Sequence, residues 1–340
     1  MNRVVRKWLV GILVAGLLMV GIALPGQQVS AATTYTFKDE VTKFTFKGGL
    51  VNISGSHVVW RSRGTTGAGQ IYYGNTSTGK TLAVTKHGKL TDTPVVGING
   101  RGEPIVVWAD KRDYSTGESN FNWDIYSYNV KTQIETKLNT DTGQHRIPSI
   151  EGNYIVWQTN PQYDMHLYDQ VNGTLTDLGR GRDPIVRNGR IVYKGEMDGD
   201  LYEYVISSGS TRKILDLPYT SYVERFVFNG NQALWKQRNL DQYGKNVYLN
   251  LDAVNPQPTD LTLPVMQGKS EYRQMSISKR YAVWLETSGD KVMLMGVDLE
   301  LGNAFNLGAI KVAQFVGFNG EKLALVIDDK LVYRNIVRSN

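Results

Sequence analysis

A short apolar strand recurs along the chain, closing on an aromatic or apolar residue, and each time a second strand, usually rich in Tyr, follows it. The first reads HVVW (His57 to Trp60), IVVW (Ile105 to Trp108), YIVW (Tyr154 to Trp157), RIVY (Arg190 to Tyr193), QALW (Gln232 to Trp235), YAVW (Tyr281 to Trp284) and KLALV (Lys322 to Val326). With Trp60, Trp108, Trp157, Tyr193, Trp235, Trp284 and Val326 as equivalents, the steps are 48, 49, 36, 42, 49 and 42 residues. That period is the length of one four-stranded repeat unit. The second strand reads IYY from Ile71, DIYSYN from Asp124, MHLYD from Met165, DLYEY from Asp200, NVYLN from Asn246, MLMGVD from Met293 and LVYRN from Leu331. A further element ending near Leu follows six of these, as in TGKTLAVT from Thr78 and GSTRKILD from Gly209.

One more strand precedes each apolar one across a tight turn. Asn99-Gly100, Asn188-Gly189, Asn229-Gly230 and Asn319-Gly320 are dipeptides that accept positive φ at both central positions of a hairpin turn. Four strands per unit and seven units predict an all-β fold, a seven-bladed β-propeller of four-stranded antiparallel blades. The seventh unit lacks its outer strand because the chain ends at Asn340. The segment KFTFK, Lys43 to Lys47, stands upstream with no unit of its own and is expected to supply that strand, so that no sheet edge stays open.

Residues 1–31 read differently. Arg3, Arg6 and Lys7 precede an apolar run from Trp8 to Leu24, a Pro25-Gly26 break and the small-residue pattern Val29-Ser30-Ala31, which predicts a secretory signal peptide cleaved after Ala31. The run of 17 residues is short for a membrane span, and retention as an uncleaved anchor is the alternative. Residues 32–340 then form a single propeller domain.

Composition sharpens this picture. The leader holds three of the 38 basic residues and none of the 32 acidic ones, so half of the formal +6 belongs to it. The remaining excess is poor support for a nucleic-acid partner, and no basic arm occurs. Cys is absent, which excludes disulfides, thiolate metal sites and a Cys nucleophile.

The sharpest copy of the unit, IVVWADKRD (Ile105 to Asp113) followed by WDIYSYNVKT (Trp123 to Thr132) and KLNT (Lys137 to Thr140), resembles the propeller repeats of the TolB-like family. The resemblance runs from about Lys43 to Asn335. It departs from TolB itself in lacking the N-terminal α/β domain and in having seven units rather than six, so that protein's partners are not carried over. The resemblance implies architecture and little chemistry, since propellers host binding proteins, hydrolases and lyases alike.

Candidate chemistry is sparse. The Trp series, one aromatic per unit at one strand position, fits packing between sheets better than a sugar-stacking row. Trp123 lies outside that position, beside the long insert Ala109 to Asn122, and is either a surface contact or a cap on its hairpin. In a four-stranded blade, the loops from strand two to three and from strand four to the next blade share one face of the ring. That face places Arg146, Arg182, Arg225 and Arg273 near the starts of four successive channel-lining strands, with Tyr222 and Tyr272 beside them. Guanidinium groups around a mouth bind carboxylates of an acidic glycan or peptide terminus; salt bridges with Asp183, Glu224 and Glu271 are the plainer account. His57, His87, His145 and His166 have no metal-pair spacing, which separates this chain from the secreted oligogalacturonate lyases, propellers with a His-rich metal site. Glu196 to Asp200 and Asp328-Asp329 lack the pattern of a calcium loop and read as turns. No G-x-S-x-G, HExxH or phosphate loop occurs.

The sequence therefore predicts an exported or cell-surface monomer, without cofactor or metal and without catalysis, binding an extracytoplasmic protein or a cell-wall polymer through Arg146, Arg182, Arg225, Arg273, Tyr222, Tyr272 and Trp123. The alternative is a lyase or glycoside hydrolase acting on an acidic glycan through carboxylates of different blades.

Overall fold

The computed structural model describes residues 33–46, 48–62, 69–87, 89–113, 122–239, 242–261, 274–288, 290–311 and 314–339. The leader, Glu271, Tyr272, Arg273 and most of the insert after Asp113 lie outside these residues. Strands pair antiparallel in sequence order into seven four-stranded sheets. In blade 3, for example, Gln144–Glu151, Tyr154–Asn160, Asp164–Asp169 and Thr174–Arg180 run from the innermost strand to the outermost.

Each blade is covered on both faces, so its second strand is apolar without alternation. Among the described residues, seven apolar clusters form, one at each junction between blades. Trp108, Trp157, Trp235 and Trp284 are at most 1% exposed, and each faces the preceding blade. The side-chain period of two corrects the alignment of the last copy. Leu323 and Leu325 face blade 6, whereas Ala324 and Val326 face blade 1, so Leu325 and not Val326 is the equivalent of the Trp residues.

The N-terminal strand closes the ring. Thr34–Thr45 lies along Lys330–Ser339 as the outermost strand of blade 7, in register from Thr34↔Ser339 to Val41↔Val332. Lys43 to Lys47 was expected to be that strand; Lys43 to Thr45 form its end, with Thr45 opposite Lys330, but most of it lies upstream, and Lys47 is outside the described residues. After an irregularity between Val41 and Thr45, the chain turns inward, and Phe44 (6% exposed) and Phe46 (0%) pack with Trp60, Val58 and Val326 between blades 7 and 1. Their ring centroids lie 5.5 and 5.2 Å from that of Trp60. Two Phe rings two residues apart point the same way, and burying each is worth about 1.5–3 kcal/mol, which an outer edge facing water does not supply. The polar stretch upstream takes the edge instead, with Asp39 accepting from Arg334 Nε and Nη2 at 2.8 and 2.7 Å.

Turn chemistry follows the dipeptides in part. Asn188 and Gly189 have φ of 51° and 69°, as expected. At Asn99 and Asn229 the Asn side chain instead accepts from backbone N–H groups of the turn, Arg101 and Glu103 in one case, Asn231 and Gln232 in the other. With the side chain as acceptor, neither Asn99 nor Asn229 takes a positive φ.

The innermost strands carry the feature that shapes the site. Leu50, Thr93, Ile147 and Asp183 have φ of 46° to 57°, each at a register break in the inner strand of blades 1 to 4. Pro follows in three of them, at Pro94, Pro148 and Pro184. Such a bulge bends the strand and re-aims the residues before it.

Candidate functional site at the channel mouth

Register defines the site. Arg146 lies opposite Gln158, Arg182 opposite Lys194 and Arg225 opposite Lys236, in blades 3, 4 and 5. Each partner directly follows the repeated aromatic, Trp157, Tyr193 or Trp235, so the site joins two rows from neighbouring strands. In blade 2 the corresponding inner position is Asp92, opposite Ala109. Gln158, Lys194 and Lys236 escaped the sequence reading, although their place one residue beyond the aromatic was a usable signal.

Arg146 makes an ion pair with Asp92 of the preceding blade, and its guanidinium lies 4.4 Å from the Trp123 ring centroid. Trp123 is 9% exposed and packs in the cluster between blades 2 and 3, with Lys111 Nζ 5.7 Å from its ring. Its backbone N–H donates to Gly143 O at 2.8 Å and its carbonyl accepts from His145 N–H at 3.0 Å. These bonds join Trp123 in a parallel bridge to Gln144 at the start of the inner strand of blade 3, and little of the ring is presented to a ligand.

Arg182 is held differently. Its guanidinium lies 3.8 Å over Tyr163, its buried Nε finds no acceptor, and it makes no ion pair among the described residues. The neighbouring Asp183 pairs with Lys194 at 2.5 Å and donates its N–H to Gln158 Oε1 at 2.6 Å. In blade 5, Glu224 accepts from Arg238 Nε at 2.8 Å and lies 3.3 Å from Lys236 Nζ. Burial favours its neutral form, but Arg238 and Lys236 outweigh that and hold it below the usual carboxylate range. Lys236 is 2% exposed, and burial pushes its ammonium down against the opposing pull of Glu224. Gly244 makes room for it, since a Cβ there would stand 2.6 Å from Lys236 Cε. Arg225 is exposed and Tyr222, opposite Arg238, is 42% exposed. Arg146, Lys194 and the pair Lys236 and Arg238 thus meet Asp92, Asp183 and Glu224, and Arg182 adds a cation with no ion pair among the described residues.

The structure also joins two histidines separated in sequence. Trp157 Nε1 and Thr159 Oγ1 lie 3.2 and 2.8 Å from His145 Nδ1, and Thr159 Oγ1 lies 3.0 Å from His166 Nε2. Because the indole can only donate, His145 Nδ1 is an acceptor and its proton sits on Nε2, 3.5 Å from Asp141. Burial pushes this imidazole down, against Asp141. Among the described residues no three His, Asp or Glu side chains are grouped as metal ligands.

Elsewhere on this face the carboxylates are engaged. Asp113 accepts from Tyr126 Oη at 2.7 Å, and with Lys137 this keeps it below its usual range despite burial. Asp110 is fully buried and accepts from Trp108 Nε1 and Arg112. Asp200 accepts from Lys213 and the Leu217 N–H, within the turn expected there, and Asp328 and Asp329 form a turn with φ of 48° and 61°.

No known family matches the sequence, and no curated protein matches it either. Solved structures do. An oligogalacturonate lyase in complex with manganese superposes with a TM-score of 0.59 at 9% identity over 90% of this chain and 98% of that one. Oligogalacturonate lyase from Vibrio parahaemolyticus gives 0.57 at 11% identity, again over 90% and 98%. TolB from Acinetobacter baumannii gives 0.49 at 12% identity over 83% of this chain, which spans 66% of that protein. At such identities the likeness is one of fold, and the chain is a β-propeller, the architecture its TolB-like repeat implied.

Proposed function

We propose that this protein is an exported, non-catalytic binding module that uses the channel mouth of blades 3 to 5 to hold carboxylates of an extracytoplasmic protein or a cell-wall polymer. The observation that carries this reading is Arg182, stacked on Tyr163 with no acidic partner among the described residues, opposite Lys194 and one blade before Arg225 and Lys236. A guanidinium fixed on an aromatic face is pre-organised for a carboxylate, and its neighbours keep the local field positive. The engaged carboxylates argue in the same direction. Asp113 and Glu224 are held in their ionised forms, whereas a general acid needs a raised pKa. Residues 1–31 supply export in this reading. No helix among the described residues is long and apolar enough to cross a membrane.

The second reading, an enzyme acting on an acidic polysaccharide, draws on the same cationic mouth and is decided by the same experiment. Residues 32–340 are incubated with wall polymers and acidic polysaccharides, and each tube is assayed for co-sedimentation and for product. Binding without product is expected, weakened at least ~10-fold in Arg182→Ala/Arg225→Ala and reduced by salt. Product formation lost in Asp183→Asn would replace the proposal with the enzyme, and unchanged affinity in the double variant would remove the Arg face.

A further inference from the structure

The other end of the channel holds a second site, independent of the mouth. A cavity of about 340 Å³ opens between the inner strands of blades 1, 2, 3, 4 and 7. Its walls include Ile53, Ile98, Ile150 and Phe318, and its polar groups include Arg187 and Glu151. Arg187 ends the inner strand of blade 4, Arg182–Arg187, five residues from the Arg at the mouth. One nitrogen, Nη1, is fully occupied. It donates to Val186 O at 2.6 Å and Ile150 O at 3.2 Å, and lies 3.4 Å from Ser149 Oγ.

These bonds fix the plane of the guanidinium and leave Nε and Nη2 without an acceptor among the described residues. Arg187 makes no ion pair there either. Glu151 is close enough to act on its charge, but the Glu151 carboxylate accepts from the Asn188 N–H across the blade junction. Burial disfavours the charge of Arg187, and Glu151 offsets this only in part. A half-buried guanidinium with open donors facing a cavity is an incomplete pair.

We propose that this cavity binds a small monocarboxylate, with the carboxylate on Arg187 and the rest of the acid in the space beside Ile98 and Phe318. The volume is at the low end for small-molecule sites, which suits an acid with an amino-acid-sized substituent. With the Glu151 carboxylate nearby, a single guanidinium favours a singly charged anion over a phosphate dianion. The carboxylate is that of a free small acid or of a peptide C-terminus, and the two differ in whether a chain fits through the opening.

The test is calorimetry on residues 32–340 with N-acetyl-leucine, with a pentapeptide ending in free leucine, with the amide of each, and with inorganic phosphate. The expected result is binding of at least one acid, with its amide and phosphate at least ~10-fold weaker, about the 1.4 kcal/mol that separates a decade. Binding of the first acid alone identifies a small acid, and binding of the pentapeptide identifies a chain end. Arg187→Met should abolish binding, and any fall in its melting temperature reflects the lost bonds to Val186 O and Ile150 O. Ile98→Trp should block the cavity and leave Arg187 in place. No acid binding by the unaltered protein, equal binding of acid and amide, or full binding by Arg187→Met would each overturn the proposal.

Discussion

At the scale of single residues, sequence position located three of the cations but not the partners of the acids Asp183 and Glu224 beside them. Arg146, Arg182 and Arg225 stand in equivalent register, as the repeat implied. Asp183 and Glu224, their neighbours in sequence, were the natural candidates for salt bridges. Successive side chains on a strand point to opposite faces, so an adjacent acid is poorly placed to reach the Arg beside it. Asp183 goes to Lys194 and Glu224 to Lys236 and Arg238, all cations of the next strand. The His145–Thr159–His166 contact was equally hidden, because strand pairing creates it and no spacing announces it. It carries a pH dependence. Burial lowers the His145 pKa from 6.5, Asp141 opposes this and the nearby His166 adds to it. Protonation at Nδ1 would also break the bond it accepts from the Trp157 indole. The unfolded chain therefore takes up a proton that the folded one refuses, so stability is retained above about pH 6.5 and falls as pH drops through the depressed value. Urea unfolding of the protein and of His145→Gln at pH 7.5 and 5.5 measures this, and the variant should lose less on acidification. An equal loss in both would assign the acid sensitivity to other groups.

Elements were more legible than residues where burial was uniform, and less so at the chain's ends. The second strand of each blade announced itself because it is buried on both faces, and six of the seven repeated positions were aligned correctly. The seventh slipped by one because KLALV contains no aromatic to mark the side facing the preceding blade. Lys43 to Lys47 marked only the end of the closing strand for a related reason. Its alternation is that of a strand with one buried face, which says nothing of whether that strand borders the sheet or plugs a junction. Phe46 Cβ and ring sit in the cluster with Trp60, and its backbone N–H donates to Asp329 O at 2.7 Å. Phe46→Ala should cost about 3–5 kcal/mol by removing a wholly buried ring between blades 7 and 1. A loss below about 1 kcal/mol in urea unfolding would mean that the junction closes without it.

At the scale of the whole molecule the ring is secured in two ways, through side chains at each junction and through one shared sheet. The side-chain links run around the described junctions. Asn52 Oδ1 accepts from Val96 N–H at 3.0 Å and Asn153 Oδ1 from Gly100 N–H at 2.8 Å. Asn188 Nδ2 reaches Asn231 Oδ1 at 3.0 Å, and Asn229 Nδ2 reaches Ser278 O at 3.0 Å. Ser278 Oγ donates to Glu321 at 2.8 Å, and Asn319 exchanges bonds with Gly55 at 2.9 and 2.7 Å. The blade 7 sheet is the only element that brings both ends of the described chain together, by pairing Thr34–Thr45 with Lys330–Ser339. Deleting residues 33–41 removes the outer strand and its Asp39–Arg334 pair while keeping Phe44 and Phe46 in the junction. Stability should then fall by several kcal/mol and the melting temperature by roughly 5–10 °C, more than any surface substitution produces. The exposed edge of Lys330–Ser339 should also promote self-association, because its backbone groups become a template for another strand. Calorimetry and light scattering on the truncated protein test both effects. An unchanged melting temperature with a monodisperse sample would show that the side-chain links alone hold the ring, whereas the two changes together assign its closure to the shared sheet.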